Sequence, residues 1–274
     1  MLIPISRRFW FRGAVEEKSL HYNLLDIRGL KPWIGSGIFR ALLSPVFSPL
    51  MKTSLRRAVS VSLLLSITVI SGYAKTIKSV PFTIDKSGTY NLDKDLTLAG
   101  GTGTGITVEA SNVVIDLSGF TLQSGASGSG IGISISGTNV TIQNGTISGF
   151  NIDLFLQSAE TEVQNVTIVA TNVGIDGEGC SDSVIQNCLV QGVAGTTYGF
   201  LLTSCTGILL TNNQIVSHFY CCNSGSSSDV FVGNFLGNAD YGLYLNSGDK
   251  YSANVTTGCT TPFTGGVAVG DDNN

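Results

Sequence analysis

The chain has 274 residues, 34 of them glycine, only 12% charged, with a formal net charge of −4. That charge is unevenly placed: residues 1–74 carry ten Lys/Arg against three acids, +7, and the remainder carries five Lys against sixteen acids, −11. An acidic stretch with no Arg beyond Arg57 excludes nucleic acid as a partner, because cationic contacts to phosphate dominate that affinity, and no basic amphipathic helix offers a membrane-surface mode.

In chain order, residues 1–50 show no period and precede a complete export signal. In 51–74, Lys52, Arg56 and Arg57 form a basic region, Ala58 to Ile70 an apolar one, and Gly72-Tyr-Ala74 a small-residue cleavage site. Met51 then reads as the true start, with 1–50 as a misassigned upstream segment or a basic leader. The apolar run is short for a membrane span, which needs about 20 residues, so export without a stable span follows, to a secreted, periplasmic or cell-surface location. Residues 75–100 alternate as a cap and first strand would. Gly100 to Gly105 lacks the Lys-Ser/Thr and following helix of a phosphate loop and reads as a plain loop.

From 101 to 265 the chain repeats. The segment Val140-Thr-Ile-Gln-Asn144-Gly-Thr-Ile147 returns in looser form around Asn165, Asn187, Asn212, Asn234 and Asn254, at intervals of 21, 22, 25, 22 and 20 residues. Val, Ile, Thr, Asn and Gly dominate these copies, which favours short strands over helices. Five residues earlier a second row, Asn112, Asn139, Glu160, Asp182, Gly207, Asp229 and Asp249, has turn chemistry. The prediction is an all-β solenoid of about seven three-strand coils, with the six asparagines stacked inside as a ladder that shares amide hydrogen bonds. Residues 266–274 form a Gly/Asp/Asn tail.

That row, with its aliphatic coils of about 22 residues, resembles the right-handed parallel β-helix of the pectin-lyase-like superfamily over about Pro81 to Gly265. The resemblance is specific for fold and not for chemistry, since such folds serve lyases, hydrolases, tailspikes and adhesins. It implies groups that can be sought. The calcium and arginine machinery of most pectate lyases finds no Arg here beyond residue 57, and the polygalacturonase set of three Asp, a His and Arg-x-Lys has only His218 in the exported part. A lyase branch with a lysine base is the one that this chain could mimic. Its counterparts would be Lys250 as base beside Asp229 and Asp249 as ligands of a calcium, a hard cation that takes oxygen donors.

Asp176, Glu178 and Asp182 form a second acidic cluster and a second candidate calcium site. All six cysteines follow the signal. Cys180 and Cys205 each lie seven residues before a repeat asparagine, so they stack on adjacent coils within disulfide reach; the alternatives are a bridge or stacked thiols. Alternation lets only one of the adjacent Cys221 and Cys222 face the core. Tyr198, Tyr220, Tyr241, Tyr244 and Tyr251 gather toward the C-terminal coils, where exposed rings would suit a glycan. The leading expectation is an exported structural or polysaccharide-contacting module; the alternatives are a calcium-dependent lyase and an adhesin for a host protein.

Overall fold

The computed structural model describes residues 74–193, 195–270 and 273, within a compact unit spanning Ser71–Asn274. The expected leader at 1–50 and signal at 51–74 lie, Ala74 apart, outside the described residues. Among the described residues there is no helix, and every strand pairing is parallel. In the C-terminal half each coil gives two short strands to a 16-stranded sheet and one to a 9-stranded sheet, as Leu209–Thr211, Gln214–Val216 and Tyr220–Ser224 do. The stack has about eight coils rather than seven, because Lys75–Ile77, Phe82–Ile84 and Gly88–Leu92 already pair into it.

Strand alternation explains the core. One inward row runs Ile115, Ile142, Val163, Ile185, Leu210 and Phe231, each in register with the next and each buried. A facing row from the other sheet runs Ile106, Ile133, Leu154, Ile175 and Phe200. Parallel sheets packed on both sides of a thin interior leave no room for polar groups without partners, so the corners decide what else enters.

The corners correct the expected ladder. Asn144, Asn165, Asn187 and Asn212 have φ between 54° and 58° and are exposed. They hold a left-handed bend in the larger sheet, inside the strands Val140–Ser148 and Thr161–Ala170 and between paired short strands at Asn187 and Asn212, a conformation that Asn tolerates better than most residues. Gly233 and Ala253 continue that row, at φ 66° and 52°. Asn234 and Asn254 instead occupy the next position, facing inward and buried, beneath Asn213. The six asparagines therefore belong to two rows, because the step from Asn212 to its register neighbour Gly233 is one residue shorter than the step to Asn234.

The inward stack is shorter and differently composed. Asn213 donates through Nδ2 to Asn234 Oδ1 at 3.1 Å, and Asn234 donates to Asn254 Oδ1 at 3.0 Å. The same oxygens accept backbone N–H groups of the coil before: Asn234 Oδ1 from Asn213 at 3.0 Å, Asn254 Oδ1 from Asn234 at 3.0 Å. Spare amide hydrogens go to the carbonyls of Ile185, Leu210 and Phe231. Each bond removes the penalty of about 1–3 kcal/mol that a buried unpaired group would carry.

Cys221 and Cys222 are both fully buried, against the expectation that only one could be. Strands of the smaller sheet carry two buried residues in succession at their second and third positions, as at Gly132-Ile133, Gly174-Ile175 and Gly199-Phe200. The first of each pair lies against the next coil's backbone, where a Cβ on Gly174 would stand 2.7 Å from the Gly199 carbonyl oxygen.

Candidate functional site

The aspartates proposed as calcium ligands are brought together, but inside. Asp229 and Asp249 are adjacent in register and fully buried. Asp229 Oδ1 accepts the Ile208 N–H at 2.9 Å and its Oδ2 the Ser224 hydroxyl at 3.4 Å. Asp249 accepts the N–H groups of Asp229 at 3.1 Å and Asn246 at 3.0 Å. They do at one corner what the buried asparagines do at another. Burial pushes the Asp229 carboxyl up to about 6, and the Asp249 charge adds to the shift. Lys250 follows Asp249 and opens the strand Lys250–Ser252, where it points outward and is exposed on the larger sheet.

The second acidic group is split by the same alternation. Asp176 lies on the outer face of the smaller sheet between Phe155 and Leu201, with Glu178 two residues on. Partial burial, then the Glu178 charge, raises the Asp176 carboxyl above its ordinary range. Asp182 sits around the next corner at φ 48°, exposed. Among the described residues no group of three His, Cys, Asp or Glu is placed to hold a metal ion.

Cys180 and Cys205 stack as expected, with Sγ atoms 2.8 Å apart, and both are buried thiols here. The Cys180 thiol hydrogen-bonded to it holds Cys205 down to about 7 while Cys180 itself is raised.

The tyrosines make the most distinctive surface. Register places Tyr198, Tyr220 and Tyr241 one above another on the outside of the smaller sheet. Their rings stack at 5.3 Å and 4.7 Å, within 15° of parallel. Phe219 meets Tyr220 and Tyr241 edge-on at 4.8 and 5.8 Å, and Tyr244 meets the same two rings at 5.7 Å each. The stacked rings use their faces on one another; Phe219 and Tyr244, 45% and 41% exposed, are the rings most open to solvent. Crowding raises the Tyr220 phenol, through partial burial first and then its neighbouring phenols and Asp240. Tyr251 is apart, stacked on Phe263 at 5.1 Å.

Beside this stack runs a cleft of about 840 Å³, lined among others by Thr197, Ser217, His218, Phe219, Asn238 and Asp240. Thr197, Phe219 and Asp240 each precede a stacked tyrosine, so one wall of the cleft is the row next to the rings. A third left-handed corner also lines it, with Ser217 at φ 66°, Asn238 at 52° and Gly258 at 64°. His218 is 4% exposed; its Nε2 bonds the Val190 carbonyl at 3.2 Å and its Nδ1 has no partner. Burial lowers its pKa to about 4, so the ring is neutral at ordinary pH and Nδ1 is an acceptor. Sequence reading missed Phe219, Asp240 and this cleft; the signal available was the residue before each tyrosine, on coils known to stack.

A family model described as a right-handed β-helix region matches residues 84–236, more than half of the chain. The chain belongs to the right-handed β-helix family. Solved structures with this right-handed β-helix fold include the enzymatically active domain of tailspike protein 2 from bacteriophage CBA120, at 14% identity and TM-score 0.50 over 68% of this chain and 36% of that one. Full-length tailspike protein 2 from an Escherichia coli O157:H7 bacteriophage aligns at 15% identity and TM-score 0.48, over 67% of this chain and 30% of that one. Pectate lyase Pel9A aligns at 12% identity and TM-score 0.46, over 73% and 68%. The right-handed β-helix described here thus spans about a third of the tailspike chains. No curated protein matches it. Among the described residues no helix is long and apolar enough to cross a membrane.

Proposed function

We propose that this chain is an exported β-helix protein that binds a polysaccharide or surface glycan at its C-terminal coils, on the outside of the smaller sheet. The observation that carries the reading is the meeting of an exposed aromatic cluster with a polar cleft. Aromatic rings pack against the C–H faces of sugar rings, while hydroxyl, amide and carboxylate groups fix the sugar hydroxyls, a division of labour usual in ligand sites. Phe219 and Tyr244 offer the ring surface; Thr197, Ser217, Asn238 and Asp240 offer the polar contacts.

Binding has more support than cleavage. In a calcium-dependent lyase centred on Lys250, Asp229 and Asp249, both carboxylates would have to leave backbone N–H partners inside the coil, and Lys250 stands on the other side of its strand. The likeness to the tailspike domain supports the fold on which such a face is built.

The test is affinity electrophoresis of the purified protein through gels containing single polysaccharides. Phe219→Ala and Tyr244→Ala are expected to weaken retention about tenfold each without shifting the thermal midpoint, since both rings lie outside the core. Undiminished retention in both variants would remove this face as the site.

A further inference from the structure

We infer that the glycan taken by this face is uncharged, and not a polyuronate. The inference rests on the glycan-binding reading above and narrows it.

The charges that surround the cleft are of one sign. Asp240 lies in the wall beside Phe219, and Asp176 and Glu178 project from the same outer face three coils from Asp240. Among the described residues no cation answers them. Beyond Lys94 the chain has a single basic side chain other than the neutral His218, namely Lys250, which belongs to the other sheet. The residue row next to the tyrosines consists of Asn151, Asn172, Thr197, Phe219, Asp240 and Thr260, none of them basic. A divalent cation bridging two carboxylates could overcome the repulsion, but no three ligands converge among the described residues.

A polymer with a carboxylate on every sugar would therefore meet like charge with no counter-ion built into the site, and like charges across an interface disfavour a partner. A neutral sugar meets the opposite situation. Two adjacent hydroxyls can donate to the two oxygens of Asp240, and charge-assisted bonds of this kind are the stronger ones. The Ser217 and Thr197 hydroxyls and the Asn238 amide can both donate and accept.

The experiment is a panel of gels containing dextran, galactomannan, xylan, polygalacturonate or alginate, run with chelator at low and at raised salt. The expected result is retention by one or more of the neutral polymers that salt leaves unchanged, with none by the uronates, and a loss of about tenfold in Asp240→Asn. Asp240 is exposed, so this variant is expected to fold, and its thermal midpoint checks that. Polygalacturonate or alginate retained in chelator as strongly as any neutral polymer would overturn the inference and leave the glycan reading standing. Retention by no polymer would remove the glycan reading itself, and the inference with it.

Discussion

The first and last coils of this solenoid share one backbone plan and fill its corners differently. At the corner after the left-handed turn of the larger sheet, Gly145 and Val166 precede Cys188, Asn213, Asn234 and Asn254. At the corner before it, Val113 and Val140 give way to Thr161, Ser183, Ile208, Asp229 and Asp249. The N-terminal coils close with apolar packing and the C-terminal coils with polar groups whose partners are backbone atoms of the next coil. The difference teaches that a solenoid can bury amides and carboxylates cheaply wherever each coil repeats the geometry of the last, because a stacked residue meets the same N–H at each step.

The largest test of that contrast compares two corner truncations. Asn234→Ala strips four hydrogen bonds from groups that stay buried and is expected to cost roughly 4 kcal/mol by urea unfolding. Val166→Ala, in the same corner row three coils earlier, removes two methyl groups and is expected to cost about 2 kcal/mol. Equal losses would mean that the asparagines act as mere fillers. Next in size is the seam between the two halves. We expect Cys180 and Cys205 to be joined by a disulfide in protein recovered from an oxidising compartment, read as two thiols protected from alkylation until reduction. The lowered Cys205 thiol supplies the reactive thiolate near neutral pH. Cys180→Ser would then cost roughly 3 kcal/mol under oxidising conditions and much less under reducing ones.

The third test concerns charge. Asp229 has a folded pKa of about 6, above the ordinary value of 3.8. The folded state therefore holds the proton more tightly, so this group's stabilisation is full below about pH 4 and is lost as pH rises toward 6. His218, depressed to about 4, acts in the opposite sense over the same window, so the parent protein's own profile mixes the two. Asp229→Asn isolates the carboxyl: an amide oxygen can still accept from Ile208, without a buried charge. Its stability relative to the parent is expected to climb between pH 4 and 6, by at most about 3 kcal/mol. A flat difference would show that the carboxyl is not charged at a cost inside the coil.

The fold was legible because coil length, strand alternation and turn residues agree over many copies. The ladder was misplaced because asparagine answers two needs, left-handed backbone outside and amide stacking inside, and the two positions are neighbours. The inward aliphatic row distinguishes them: Asn144, Asn165, Asn187 and Asn212 lie two residues after Ile142, Val163, Ile185 and Leu210, whereas Asn234 and Asn254 lie three after Phe231 and Tyr251. The same phase error turned Asp229 and Asp249 from core residues into surface ligands. The tyrosine cluster was visible as composition, and its stacking follows from register alone. Phe219 and Asp240 escaped notice because a cleft is made by the relation of three corners, none of which carries a motif by itself.

One coil is longer than its neighbours, and all of the excess is at one place. From Gln191 to its partner Val216 is 25 residues, yet from Tyr198 to Tyr220 it is 22, so the three extra residues fall between Gly192 and Tyr198, at the mouth of the cleft. The strands on either side keep their partners. A stack of this kind thus separates two inheritances: its strands can tolerate little change in length, while each corner is free to lengthen on its own. Selectivity for a new ligand could be acquired there by insertion, and exchanged between relatives, with the scaffold left untouched.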